Sequence, residues 1–212
     1  GTGFFEPFSN ARLAAGTISI VDPIYSFPLY IPLIVRTVRK HSHSIQKWVA
    51  IGLLFSNVYL FLTIFNGIYM NNLFKQNLKA QGISYNKTMT APSFLNNLLW
   101  YGIAIDEKHA WYGLYSHFDS NTKISFYKVK RNIQLGNEMQ KEEFKNLVRF
   151  SKGFYILHKS EKGLAFNDLR FGFTKKDNFI FNYSVKNPEK NPFGVSFNAD
   201  EFKHFFKRIF GK

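Results

Sequence analysis

The stretch WVAIGLLFSNVYLFLTIFNGIYM, residues 48–70, decides how the rest of the chain is read: it runs for 23 residues without one charge. As a helix it covers about 34 Å, enough to cross a hydrocarbon core of roughly 30 Å. Buried helices of soluble proteins seldom run so long with apolar residues on every side, so the stretch predicts a membrane span. Asn57 and Asn66 within it are expected to face a neighbouring helix, because an unpaired amide in hydrocarbon is costly.

Upstream, PIYSFPLYIPLIV at 23–35 is uncharged for only 13 residues and carries Pro23, Pro28 and Pro32. It is too short to cross alone. The expectation is a kinked span over about 18–36, with Asp22 inside or at the rim, packed against the 48–70 helix; a re-entrant or interfacial segment is the alternative. Between the two runs Arg36, Arg39, Lys40 and Lys47 crowd a loop of about a dozen residues, and short loops rich in Lys and Arg stay cytoplasmic. The two spans therefore read as a hairpin entering from and returning to the outer side of a bacterial-type inner membrane.

From Asn71 onward the pattern changes. Residues 75–212 hold 23 basic and 12 acidic side chains, against 5 and 2 before them. Short alternating runs rich in Phe, Tyr, Ile and Val at 98–105, 111–118, 123–129, 154–158, 164–171 and 179–185 read as strands. Turn-grade breaks at 119–121 and 161–163 separate some of them. Residues 138–151 read as a helix, with Met139, Phe144, Leu147, Val148 and Phe150 roughly on one side. Residues 200–210 read as another, with Phe202, Phe205, Phe206 and Ile209 on one face and Asn198 or Asp200 as its cap. The predicted class is α+β: an N-terminal transmembrane helical hairpin in a membrane region over 1–74, then a water-facing domain over 75–212. That domain is one antiparallel sheet with one inserted helix and one C-terminal helix, placed on the extracytoplasmic side.

Composition bounds the chemistry. With 45% hydrophobic and 18% aromatic residues in 212, the chain is not disordered. It has no cysteine, so disulfides, thiolate metal sites and cysteine nucleophiles are out. A net charge of +14 and pI near 9.8 favour anionic partners, membrane lipids first. Nucleic acid is the weaker partner. KVKRN at 128–132 and FTKKDN at 173–178 join cations to aromatic strands, yet the phenylalanines alternate as core residues do and no RNP-like string occurs. His41 and His43 stand among cations that disfavour a bound dication, and His109, His117, His158 and His204 are scattered. Asp106, Glu107 and Asp119 end strands in turns, which is how turn residues behave more often than acid–base pairs. There is no phosphate-binding glycine loop and no nucleophile elbow.

Some strings carry a resemblance. GTGFFEPFSNARLAAGTISIVDPIYSFPL, through Gly1, Thr2, Pro7, Phe8, Ser9, Arg12, Asp22 and Pro23, resembles the "yGT...PFS..R" and "DP.yt.p" segment of the YdjM-like, membrane-bound metal-dependent hydrolase family. TAPSFLNNLLWYGIAIDEKHAWYGLYSHFD and LVRFSKGFYIL...LAFNDLRFGF resemble the C-terminal extension of its longer members. The resemblance implies a divalent metal, of the zinc type, that activates water against an ester or phosphoester of an unknown small-molecule or lipid substrate. It places the His and Asp ligands before the "yGT" string, on helices absent from this sequence. No ligand carries over, and this chain alone is expected to be inactive. With glycine rather than methionine first, it reads as the C-terminal part of something longer.

By the same resemblance Pro7, Phe8, Ser9 and Arg12 lie near the family's metal centre. Arg12 suits either a bidentate carboxylate or phosphate contact or a side chain snorkelling to head groups. In the later strings Asn96, Asn97, Asn167, Asp168 and Arg170 set polar groups beside aromatic strands, as a binding surface or, for Asp168 and Arg170, as a structural ion pair. The rival to hydrolysis is a non-enzymatic, membrane-anchored extracytoplasmic binding domain.

Overall fold

The computed structural model describes residues 8, 16–19, 21–38, 45–160, 163–171, 182–184 and 199–211. It is an α+β structure with four α-helices, a four-stranded antiparallel sheet and a three-stranded sheet among those residues. Two compact units emerge, Gly1–Phe74 with Thr90–Trp100, and Lys75–Met89 with Tyr101–Lys212.

In the first unit α1 spans Pro23–Val38, 16 residues and about 24 Å. It begins five residues later than the 18–36 span predicted. The reason is local: Asp22 accepts the backbone N–H groups of Ile24 (3.0 Å) and Tyr25 (3.3 Å) on one carboxylate oxygen, and Pro23 takes the first helical position, where a missing N–H costs nothing. Two prolines inside α1 free carbonyls. Pro32 leaves the Pro28 carbonyl without its helical donor, and that oxygen lies against Gly52 so closely that a Cβ there would overlap it.

Helix α2 spans Ile45–Ala80, 36 residues, well beyond the predicted 48–70. Its stretch from Gln46 is long and apolar enough to cross a membrane, and only 17% of its most apolar window is buried. Up to Met70 the residues that are buried, Gly52, Ser56, Thr63, Gly67 and Met70, recur at helical spacing and are mostly small, and beyond it Leu73, Phe74 and Leu78 are buried. The large ones point outward: Trp48, Leu54, Phe55, Phe61, Leu62, Phe65, Ile68 and Tyr69 are exposed, as are Phe27, Tyr30, Ile31 and Ile34 of α1. The two helices meet with Pro28 beside Gly52, Ser56 Oγ donating to Tyr25 O (2.9 Å), and Tyr59 beside Asp22. Asn66 reaches the bend at Asn97, not the neighbouring helix expected. Asn57 reaches neither; it is exposed and donates to Leu53 O (2.8 Å) one turn back, the cheapest way for an outward amide to be satisfied.

Strands β1 (Lys87–Pro92), β2 (Leu99–Ile105), β3 (His109–Ser116) and β4 (Phe126–Lys130) form one sheet in sequence order, while β5 (Tyr155–Ser160), β6 (Gly163–Asp168) and β7 (Asn182–Ser184) form another. The single predicted sheet is thus two. Between β4 and β5, Asn132 adopts a left-handed φ of 47°, a 3₁₀ turn runs over Ile133–Glu138, and α3 occupies Lys141–Phe150. That detour carries β5 into a new ladder. The expected 138–151 helix is therefore shorter, and Phe150 is exposed instead of joining Phe144, Leu147 and Val148 over Leu157 and Phe166. Helix α4 spans Ala199–Ile209, so Asp200 lies within it; Asn198 is outside the described residues. Ile103, Ile105, Ala110, Phe154, Ile156 and Leu169 join the two sheets in one core, and Leu78 closes a second cluster with Ala104 and Trp111.

Candidate functional site

Of the four family-motif residues, Pro7, Ser9 and Arg12 lie outside the described residues, and Phe8 is 95% exposed in a turn. Asn96 is spent on its own loop: its amide nitrogen donates to Ser93 Oγ and Phe94 O (both 2.9 Å), and its oxygen accepts Leu98 and Leu99 N–H. Asn97 is a junction within the first unit. It donates to Thr17 O (2.7 Å), accepts Asn66 Nδ2 at 2.6 Å, and its carbonyl accepts Trp100 Nε1 (3.1 Å). Gly67 makes room for this junction, since a Cβ there would sit 2.8 Å from Thr17 Cγ2.

Asp168 and Arg170 do pair. Asp168 is fully buried, and Arg170 Nη2 donates to its Oδ2 at 2.5 Å while Nε bridges both oxygens. Arg170 also lies over the Phe150 ring at 5.1 Å, and its carbonyl accepts the Tyr101 hydroxyl (2.6 Å). Burial first, then the Asp168 charge, push the Tyr101 phenol up to about 12. This is an ion pair whose carboxylate is sealed and whose guanidinium is partly exposed. Two further carboxylates are likewise engaged. Asp106 accepts Lys108 and His109 N–H groups, and Asp119 takes Arg208 through Nη1 (2.5 Å) and Nη2 (2.7 Å). Arg131, from the KVKRN string, is buried and donates to the carbonyls of Tyr155, Asp106 and Gly153. His41 and His43 fall outside the described residues; burial pulls His117 down, and the Asn167 amide meets His158 Nδ1 at 2.7 Å.

The group that stands apart is Asp22. It is 3% exposed, and besides capping α1 it accepts the Tyr59 hydroxyl on Oδ2 at 2.8 Å. Along α2, Tyr59 lies about 16 Å from exposed Trp48 and about 15 Å from exposed Tyr69. The carboxylate therefore sits midway along an outward apolar band of about 32 Å bounded by aromatics. Ser56 lies one turn away, and Ser19, also buried, accepts the Leu95 N–H (3.1 Å). The sequence holds the cue to half of this: an Asp–Pro pair before an apolar run is a cap followed by a first helical residue. Its Tyr59 partner, 37 residues on, leaves no such trace.

Among the described residues no three His, Asp or Glu side chains come together, and both Asp22 oxygens are already occupied. These residues do not fit a metal centre. Compared with family models, with curated proteins and with solved structures, the chain finds no match.

Proposed function

We propose that the chain belongs to an integral membrane protein in which α1 and α2 form a membrane-embedded hairpin and the strand-rich unit faces water. One observation carries this reading: α2 is inside out by the standards of a soluble helix. Between Trp48 and Tyr69 its buried positions are Gly52, Ser56, Thr63 and Gly67, while most of its large apolar side chains are exposed, the arrangement that lipid stabilises and water penalises by about 25 cal/mol per Å². The exposed band of about 32 Å between Trp48 and Tyr69 matches a hydrocarbon core with aromatic residues at both edges.

Within that frame α1 crosses only half the depth. Its first residue lies level with the middle of the band, and its apolar stretch ends at Val35, where Arg36 opens the basic stretch in the last turn of α1. Non-helical chain at such depth is tolerated when protein shields it, and an ionisable residue there marks a functional position by default. From its Lys and Arg content we propose that the basic loop is cytoplasmic and the strand-rich unit outside.

The activity we propose rests on the resemblance to the YdjM-like hydrolases: metal-assisted hydrolysis of an ester or phosphoester, with ligands contributed by sequence preceding the GTGFFEPFS string. No catalytic step is assigned to the described residues. The second reading, a membrane-anchored binding domain without catalysis, is favoured by the carboxylates of the water-facing unit, Asp106, Asp119 and Asp168, each closed into a cap or ion pair.

Because the chain lacks cysteine, single-cysteine labelling has no background. In intact vesicles a membrane-impermeant maleimide should label Ser42→Cys from one side and Ser120→Cys from the other, and Ser26→Cys from neither. Release of the protein by alkaline carbonate, or labelling of Ser26→Cys from water, would refute the hairpin. Elemental analysis of the detergent-purified product of the whole gene separates the hydrolase reading, which requires stoichiometric metal, from the binding one.

A further inference from the structure

We propose that the water-side end of α2 is a binding site for an anionic phospholipid, with the lipid phosphate held between Lys75 and Lys79; this rests on the membrane reading. The two lysines, with Gln76, line one open groove whose other wall is Ile83, Ser84 and Tyr85 from the turn after α2. The lining residues carry four kinds of donor: two ammoniums, an amide, a hydroxyl and a phenol. Lys75 and Lys79 are one turn apart, so they share a face and repel each other. Among the described residues neither makes an ion pair. The sequence supplies no Asp or Glu at all from 23 to 105. An anion is the missing counter-charge.

The position along α2 selects the kind of anion. Exposed Phe61, Ile64 and Ile68, then Asn72, Lys75 and Lys79, follow one another at three- and four-residue steps, so a single helix face passes from an apolar stripe to the two cations. Lys75 lies about 9 Å beyond Tyr69, and lysine side chains on a helix lean back toward its N-terminus. That brings the ammonium to head-group depth, a few Å outside the hydrocarbon. A lipid with its chains along Phe61 and Ile68 presents its phosphate at this groove. Tyr85, half-buried against Leu78, Ala104 and Trp111, stiffens the opposite wall.

The test uses spin-labelled lipids and the detergent-purified protein reconstituted into phosphatidylcholine vesicles. The fraction of motionally restricted label should favour phosphatidylglycerol over phosphatidylcholine by about thirtyfold, as expected for two surface lysines at about 1 kcal/mol each. In Lys75→Gln/Lys79→Gln the preference should fall toward unity, while Lys123→Gln/Lys145→Gln keeps it. Equal loss in both double variants would overturn the site in favour of diffuse charge. Abolition by inorganic phosphate would overturn a lipid as the source. Restriction of both labels without preference defeats the lipid site alone, whereas restriction of neither defeats the membrane reading with it.

Discussion

Replacing Asp22 by alanine is the perturbation that most directly probes the buried end of α1. The change deletes the acceptor of the Ile24 and Tyr25 N–H groups and of the Tyr59 hydroxyl. Loss of the cap costs about 1 kcal/mol. A hydroxyl left unpaired in a buried setting adds about 1–3 kcal/mol, so the total is about 2–4 kcal/mol. Asp22→Asn keeps an oxygen for the cap and turns an amide N–H toward the phenol oxygen, and should cost less than about 1 kcal/mol. Tyr59→Phe removes one bond from one side only. The assay is a double-mutant cycle on the reconstituted protein, unfolded by graded sodium dodecyl sulfate and followed by helical ellipticity. Asp22→Ala and Tyr59→Phe should be coupled by about 1 kcal/mol or more. Additive losses would refute the pairing, and an Asp22→Asn variant as damaged as Asp22→Ala would show that charge, not hydrogen bonding, fixes the helix start.

Three further outcomes follow from the geometry. Gly52→Leu should part α1 from α2, because its side chain must enter the space of the Pro28 carbonyl; a Tyr25→Cys/Ser56→Cys crosslink that forms readily in the parent should fail in this background. Burial pushes the Asp119 carboxyl up, but the Arg208 hydrogen bonds, the Ser116 N–H and the Arg208 charge together outweigh it and hold it below the usual range. Stability from a carboxyl depressed in the folded state is complete above its unfolded value near pH 4 and disappears as pH falls through the folded one. Asp119→Asn should thus be less stable than the parent by about 1–2 kcal/mol at neutral pH and converge with it in acid, read by pH-dependent denaturant melts. Arg131→Met should strip three carbonyls of their donor, that of Tyr155 buried and those of Asp106 and Gly153 part-buried, and cost about 3 kcal/mol in the same melts, whereas a loss under about 1 kcal/mol would mean that water replaces the guanidinium.

The elements written in local pattern were readable, and those that depend on distant partners were not. The uncharged 48–70 run announced α2, yet the helix continues to Ala80 because Leu73, Phe74 and Leu78 keep its buried stripe after the uncharged run has ended. Strand β1, KTMTAP, lacks the aromatic and β-branched density of its neighbours and passed as loop. The division into two sheets turns on the Asn132 left-handed kink and the 3₁₀ turn behind it, neither of which alters the apolar alternation on either side. Asp168 and Arg170 showed their pairing through a spacing of two, while the Asp119–Arg208 and Asp22–Tyr59 pairs join residues 89 and 37 positions apart and have no sequence signature.

If α1 and α2 form the proposed membrane hairpin, the shortness of α1 bears on how the protein is made. A 16-residue helix opening on a carboxylate is a poor substrate for insertion by itself, since its leading end would reach the bilayer centre with its polar groups bare. Only when α2 is alongside do Tyr59 and Gly52 offer that end a hydroxyl donor and a backbone to lie against. Biogenesis then has a built-in order: the later helix must reach the lipid first, or both together, and a ribosome-stalled chain ending before Tyr59 should leave α1 outside the bilayer.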